Sequence, residues 1–128
     1  MRTLTLAALL AFAPLALAAP PDAPSRKFEG RDLFGLQVAT DPQIRPDGKT
    51  IAYTRVSYDV MSDRARRSIW LIDVDSGVQT PLITGAASSF SPRWSNDGQR
   101  IAYVSTADEG RPQLFVRWMQ SGQSARLA

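Results

Sequence analysis

From residue 41 onward the apolar positions of this chain fall in short runs of four to eight residues. Pro, Asp-Gly and Ser-Gly breaks separate them, which is the spacing of strands joined by tight turns. The pattern predicts strands over 43–45, 50–57, 68–74 and 78–83, followed by 90–94, 100–105, 113–119 and 124–127. Within the third strand of each set the apolar residues run without alternation, as Ile69-Trp70-Leu71-Ile72 and Leu114-Phe115-Val116. A half-exposed sheet alternates, so these runs predict strands buried on both faces. Pro81 removes a ladder donor from the fourth strand, which is therefore expected at a sheet edge.

The two sets are copies of one unit. Asp41-Pro42-Gln43-Ile44-Arg45-Pro46-Asp47-Gly48-Lys49-Thr50-Ile51-Ala52-Tyr53 aligns with Ser91-Pro92-Arg93-Trp94-Ser95-Asn96-Asp97-Gly98-Gln99-Arg100-Ile101-Ala102-Tyr103 at a constant offset of 50 residues. Six of the thirteen positions are identical, where composition alone gives about one. Asp-Gly between apolar runs is a hairpin signal, and Pro46 presets the turn in the first copy. Four antiparallel strands with two buried faces and a polar outer edge describe a β-propeller blade. The predicted fold class is thus all-β, with about two four-stranded blades over residues 41–84 and 85–128. A ring needs about four to eight blades, so the chain reads as the opening part of an incomplete propeller.

Upstream, Met1-Arg2-Thr3, an apolar run from Leu4 to Leu17 and Ala16-Leu17-Ala18 have the layout of a secretory signal peptide over 1–18, cleaved after Ala18. The run is shorter than the ~20 residues that span a bilayer, so no membrane association is expected after cleavage. A Pro-rich linker follows over 19–27, then an extension over 28–40 carrying a short helix begun near Gly30 and broken around Gly35. Export predicts a periplasmic or secreted protein. The chain has no cysteine, so neither disulfides nor a lipidated N-terminal cysteine are available to it.

The charge changes this picture little. Fifteen basic and twelve acidic residues give +3, with the basic side chains scattered except at Arg64, Arg66 and Arg67, which offers nucleic acid no footprint.

The Pro-Asp-Gly…Ile-Ala-Tyr unit, followed by Ile69-Trp70-Leu71-Ile72-Asp73 and Ser76-Gly77, resembles the propeller repeats of the prolyl oligopeptidase family of serine peptidases, with the acylaminoacyl-peptidase and dipeptidyl-peptidase branches most similar. Asp32-Leu33-Phe34, with Asp41-Pro42-Gln43-Ile44 leading into the first repeat, is similar to the start of exported bacterial members. The resemblance covers residues 28–128. It implies a propeller that gates short peptides into a following α/β-hydrolase domain with a Ser-Asp-His triad. The repeat alone is shared with the periplasmic TolB propeller of the Tol system, so the alternative is a non-enzymatic propeller that binds protein or glycan.

No catalytic residue is expected among these residues. Histidine is absent, and there is no Gly-x-Ser-x-Gly elbow. Ser88, Ser89 and Ser91 read as solvated turn residues before a strand. Asp73-Val74-Asp75-Ser76-Gly77 resembles the start of a calcium loop, but its glycine comes one place early and Thr84 stands where the last ligand belongs, so a hairpin turn is expected and no metal or cofactor. Asp108-Glu109-Gly110 reads as a solvated acidic turn. Trp70, Trp94, Phe115 and Trp118 are expected to pack between blades. The repeats differ in one place: Tyr53 to Ile69 spans 16 positions against 11 from Tyr103 to Leu114, and the five extra residues predict a charged loop. In the family resembled, that face adjoins the hydrolase domain. Arg64, Arg66 and Arg67 are therefore the candidate site, expected to touch that domain or bias the entry of acidic peptides.

Overall fold

Pro42 and Pro92 decide where each repeat bends. The residue before each holds a positive φ, 51° at Asp41 and 56° at Ser91, and the pairing register slips there, between Thr40 and Gln43 and again between Phe90 and Arg93. A proline has no N–H to give the ladder, and a bulge is where a sheet accommodates that loss. The opening strand of each repeat thus continues upstream of its proline. These are features of a computed structural model that describes residues 27–127, so the predicted signal peptide and nearly all of the linker lie outside the described residues.

The first sheet contains β1 (Gln37–Ile44), β2 (Thr50–Asp59), β3 (Arg64–Asp73) and β4 (Gln79–Ile83), hydrogen-bonded in that order. The second contains β5 (Ser89–Trp94), β6 (Arg100–Ser105), β7 (Gln113–Trp118) and β8 (Ser124–Arg126), again in chain order. Every pairing is antiparallel. The β1–β2 and β5–β6 turns close alike: Gly48 N–H donates to the Arg45 carbonyl and Gly98 N–H to the Ser95 carbonyl, both at 2.8 Å. Asp47 and Asp97 accept from the amides of Lys49 and Gln99 at 3.0 and 2.9 Å, and the glycines take φ of 73° and 65°. Arg45 N–H donates to the Thr50 carbonyl and Ser95 N–H to the Arg100 carbonyl, so each is a four-residue hairpin loop with the left-handed glycine third. Pro81 lies in β4, the outermost strand, as its missing donor requires.

The short helix is present as a single 3-10 element over Gly30–Gly35, opened by the Glu29 amide donating to the Asp32 carboxylate at 2.8 Å. Leu36 is already extended, and the chain passes directly into β1. Two strand expectations require correction. The strand expected from Gln43 begins at Gln37, because the bulge takes up Pro42. The five-residue insertion is not a loop: it lengthens β2 and β3, whose ladder runs unbroken to the pair Asp59 and Arg64. Only 60–63 remain as the turn.

The core lies between the sheets. Ala52, Ile69 and Ile101 are wholly buried, and Tyr53 and Tyr103 nearly so. These include most of the two Ile-Ala-Tyr repeats, which enter β2 and β6 straight after the turns. The third strands depart from expectation: Ile69 is buried, but Trp70, Leu71 and Ile72 are half-buried and Leu114 is 41% exposed. Each sheet packs on one other among the described residues, so its far face has no sheet over it. Ser88 and Ser89 also differ from the solvated turn expected. Ser89 opens β5, is 3% exposed, and donates its hydroxyl to that of Ser105 at 2.9 Å. The pair lets two buried hydroxyls satisfy each other.

Candidate functional site

Arginines join the two sheets at one end. Arg93 donates to the Asp41 carboxylate at 2.8 Å, tying the bulge of the first repeat to the strand after the bulge of the second. Arg45 donates from Nε to the Gly98 carbonyl at 3.0 Å while its guanidinium lies 5.6 Å from the centre of the Trp94 ring. The Trp94 indole N–H donates to the Gln43 carbonyl at 3.1 Å. Turn faces turn across this seam. Gly98 is required here: a Cβ on it would lie 2.9 Å from Arg45 Nε.

At the opposite end the candidate arginines separate into three roles. All three lie on β3 rather than in a loop. Arg67 belongs to the seam, with its guanidinium 5.6 Å from the Phe90 ring centre and its amide donating to Ser88 Oγ at 3.3 Å. Arg66 spans the hairpin to the Asp59 carboxylate at 2.9 Å. Arg64 is exposed and forms no ion pair among the described residues. Arg64 and Arg66, with Ser62, Ala65, Ala86, Ser88 and Thr106, line an open cleft of about 310 Å3. It lies between the lengthened β2–β3 hairpin and the connection from β4 to β5. The sequence pointed to Arg64 and Arg66 but missed the two hydroxyl residues contributed from the second repeat, because only the fold brings Ser88 and Thr106 to the insertion.

Of the aromatic residues expected between blades, Trp94 alone crosses the seam among the described residues. Phe115 stacks on Tyr103 within the second sheet, ring centres 5.6 Å apart and planes 19° from parallel. Trp70 lies beneath the Arg55 guanidinium at 4.2 Å in the first sheet, and Trp118 is 41% exposed. The acidic turn at Asp108 is not merely solvated, since Asp108 pairs with Arg126 at the end of β8. No three His, Cys, Asp or Glu side chains among the described residues are grouped to hold a metal ion.

Three turn carboxylates titrate below the ordinary value of 3.8. Asp97 is held down by the Ser95 hydroxyl at 2.5 Å and the Gln99 amide, Asp73 by the Ser76 hydroxyl at 2.6 Å and amide, and Asp59 by the Met61 amide, the Ser62 hydroxyl and Arg66. A depressed carboxylate contributes stability above its unfolded pKa and loses it as pH falls through the folded one. Stability is therefore expected to be level in this respect above about pH 5 and to fall as pH drops through 3.8 and below. Ser95→Ala removes the largest cause at Asp97. A series of urea melts from pH 6 to pH 2 should show Ser95→Ala less stable at pH 6, with the gap narrowing toward pH 2 to a remainder left by the lost Arg100 amide bond to Ser95 Oγ; parallel curves would contradict the assignment.

No protein-family model matches the chain. The chain is 30% identical over 96 residues to the uncharacterized peptidase YuxL of Bacillus subtilis, covering 75% of this chain and 15% of the relative. It is 32% identical over 71 residues to dipeptidyl-peptidase 5 of Porphyromonas endodontalis, covering 56% and 10%. It is also 34% identical over 77 residues to the Tol-Pal system protein TolB of Sodalis glossinidius, covering 59% and 18%. The chain thus spans between a tenth and a fifth of the length of these curated relatives. Among solved structures, acylaminoacyl peptidase of Pyrococcus horikoshii superimposes with a TM-score of 0.62 at 19% identity, over 79% of this chain and 15% of that one. The β-propeller domain of the trilobed protease of Pyrococcus furiosus gives 0.59 at 17% identity, over 72% and 27%. The fold is that of two β-propeller blades.

Proposed function

We propose that the two blades belong to an exported serine peptidase of the prolyl oligopeptidase kind, whose propeller restricts entry to a hydrolase site. The observation that carries this reading is the extent of the match. The peptidase relative aligns over 96 residues and the TolB relative over 77.

In this reading the blades do no chemistry. Residues 1–128 contain no histidine, so the general base of a serine mechanism comes from elsewhere in the protein. The blades act by shape. Antiparallel sheets arranged around an axis leave a channel too narrow for a folded protein. Rigidity at the seam matters to such a filter, and the Arg45 and Arg93 contacts supply it. The second reading, a non-enzymatic propeller that binds protein or glycan, draws on the 34% identity to TolB.

The test is a length series. The full-length protein should hydrolyse chromogenic dipeptidyl or acyl-aminoacyl substrates, keep activity on short peptides, and leave folded or reduced full-length proteins intact. Hydrolysis that is indifferent to length would remove the gating role. No hydrolysis of any member would favour the binding protein.

A further inference from the structure

We propose that the cleft between the β2–β3 hairpin and the β4–β5 connection binds a peptide segment through a side-chain carboxylate. Four observations lead there. The hairpin overhangs the second sheet because β2 and β3 are ten residues long where β6 and β7 are six, so the second repeat has no counterpart of this shelf. Arg64 brings an exposed guanidinium with no ion pair among the described residues. Arg66, half exposed, spends one nitrogen on Asp59 and keeps other N–H groups for a ligand. Ser88 Oγ accepts from the Arg67 amide, which leaves its hydroxyl proton to be donated.

The charges in the neighbourhood agree. Arg64, Arg66 and Arg67 stand against Asp59 and Asp63, and Asp59 is already engaged by Arg66, the Met61 amide and Ser62. A guanidinium offers parallel N–H groups that match the two oxygens of a carboxylate. At about 310 Å3 the cleft holds a side chain with its flanking backbone rather than a large ligand. Of its hydroxyl lining, Ser62 is engaged with Asp59 and Thr106 with the Ser88 backbone, so Ser88 Oγ is the hydroxyl left for the backbone of a peptide. Binding at this cleft does not depend on the peptidase reading.

Calorimetric titration of the full-length protein tests it, with the blocked tetrapeptide Ala-Glu-Glu-Ala, its Ala-Gln-Gln-Ala counterpart and inorganic phosphate as probes. The Glu peptide is expected to bind at least ~5-fold more tightly than the Gln peptide, with the preference shrinking as salt rises. Arg64→Ala should erase that preference, and Arg64→Lys should restore part of it. Arg111→Ala, an exposed arginine outside the cleft, should leave it intact. Equal binding of the two peptides, or a preference that survives Arg64→Ala, would overturn the proposal. Phosphate that binds as tightly as the Glu peptide and displaces it would also overturn it, reducing the cleft to a general anion site. Each arm reads binding, so the titration decides equally well for a protein without hydrolytic activity.

Discussion

Ile101→Ala is expected to destabilise the protein by about 2–5 kcal/mol, the range for deleting a fully buried aliphatic side chain. Ile101 is wholly buried on β6, opposite Trp94 on one side and Arg117 on the other, in the layer between the two sheets. Its removal loses the transfer energy of three carbons and leaves a void, because the β5–β6–β7 ladder holds its neighbours in place. Ile69, equally buried on β3 between Thr54 and Ile83, should behave alike. Urea denaturation followed by tryptophan fluorescence measures both. A loss under about 1 kcal/mol at either position would mean that the core is not where the two sheets meet. Leu114 is the informative comparison. It is 41% exposed among the described residues, and in a propeller with a further blade over β7 Leu114→Ala should approach the cost of Ile101→Ala.

Gly98→Ala should cost more than Gly48→Ala, although the two glycines occupy the same place in the repeat. Both hold a positive φ, 65° and 73°, which costs an L-residue about 1–2 kcal/mol. At Gly48 nothing lies within 4 Å of an added Cβ, so that is the whole penalty. At Gly98 the methyl would meet Arg45 Nε at 2.9 Å and Cγ at 3.3 Å. Arg45 must then leave, and with it go the hydrogen bond to the Gly98 carbonyl and the guanidinium contact with Trp94. Together these add about 1–2 kcal/mol. Arg45→Ala separates the effects: in that background the two glycine substitutions should cost the same. A difference that persists would show that the seam is not the cause.

What could be read from the sequence was the local chemistry of the repeat. The bulges at Pro42 and Pro92 were not anticipated, which hid the upstream half of β1, but Asp47-Gly48, Asp97-Gly98 and the two Ile-Ala-Tyr runs carry the turns and much of the core. Each is a short-range constraint that its own residues express. Pro81 belongs with them, since a missing donor alone places a strand at the edge. The lengthened hairpin was only half legible: Val56, Tyr58 and Val60 alternate with Ser57 and Asp59, but the returning Arg64-Ala65-Arg66-Arg67 carries no such pattern, and the Asp59–Arg66 ion pair lies diagonal to the Asp59 and Arg64 ladder pair. The Arg45 to Gly98 and Arg93 to Asp41 contacts bridge more than fifty positions and exist only once the sheets meet. Burial of Ser89 was hidden for a related reason, because its partner Ser105 comes from the next strand. The cleft combined both difficulties, with arginines from one repeat and hydroxyls from the other.

Labelling the full-length protein with a fluorophosphonate probe tests most directly the proposal that these blades belong to a serine peptidase. Stoichiometric modification of one serine outside residues 1–128, within a Gly-x-Ser-x-Gly segment, is expected, with loss of hydrolysis in proportion to labelling. A full-length protein that takes up no label, shows no hydrolysis and continues only in Asp-Gly repeats would contradict it and leave a binding propeller in its place.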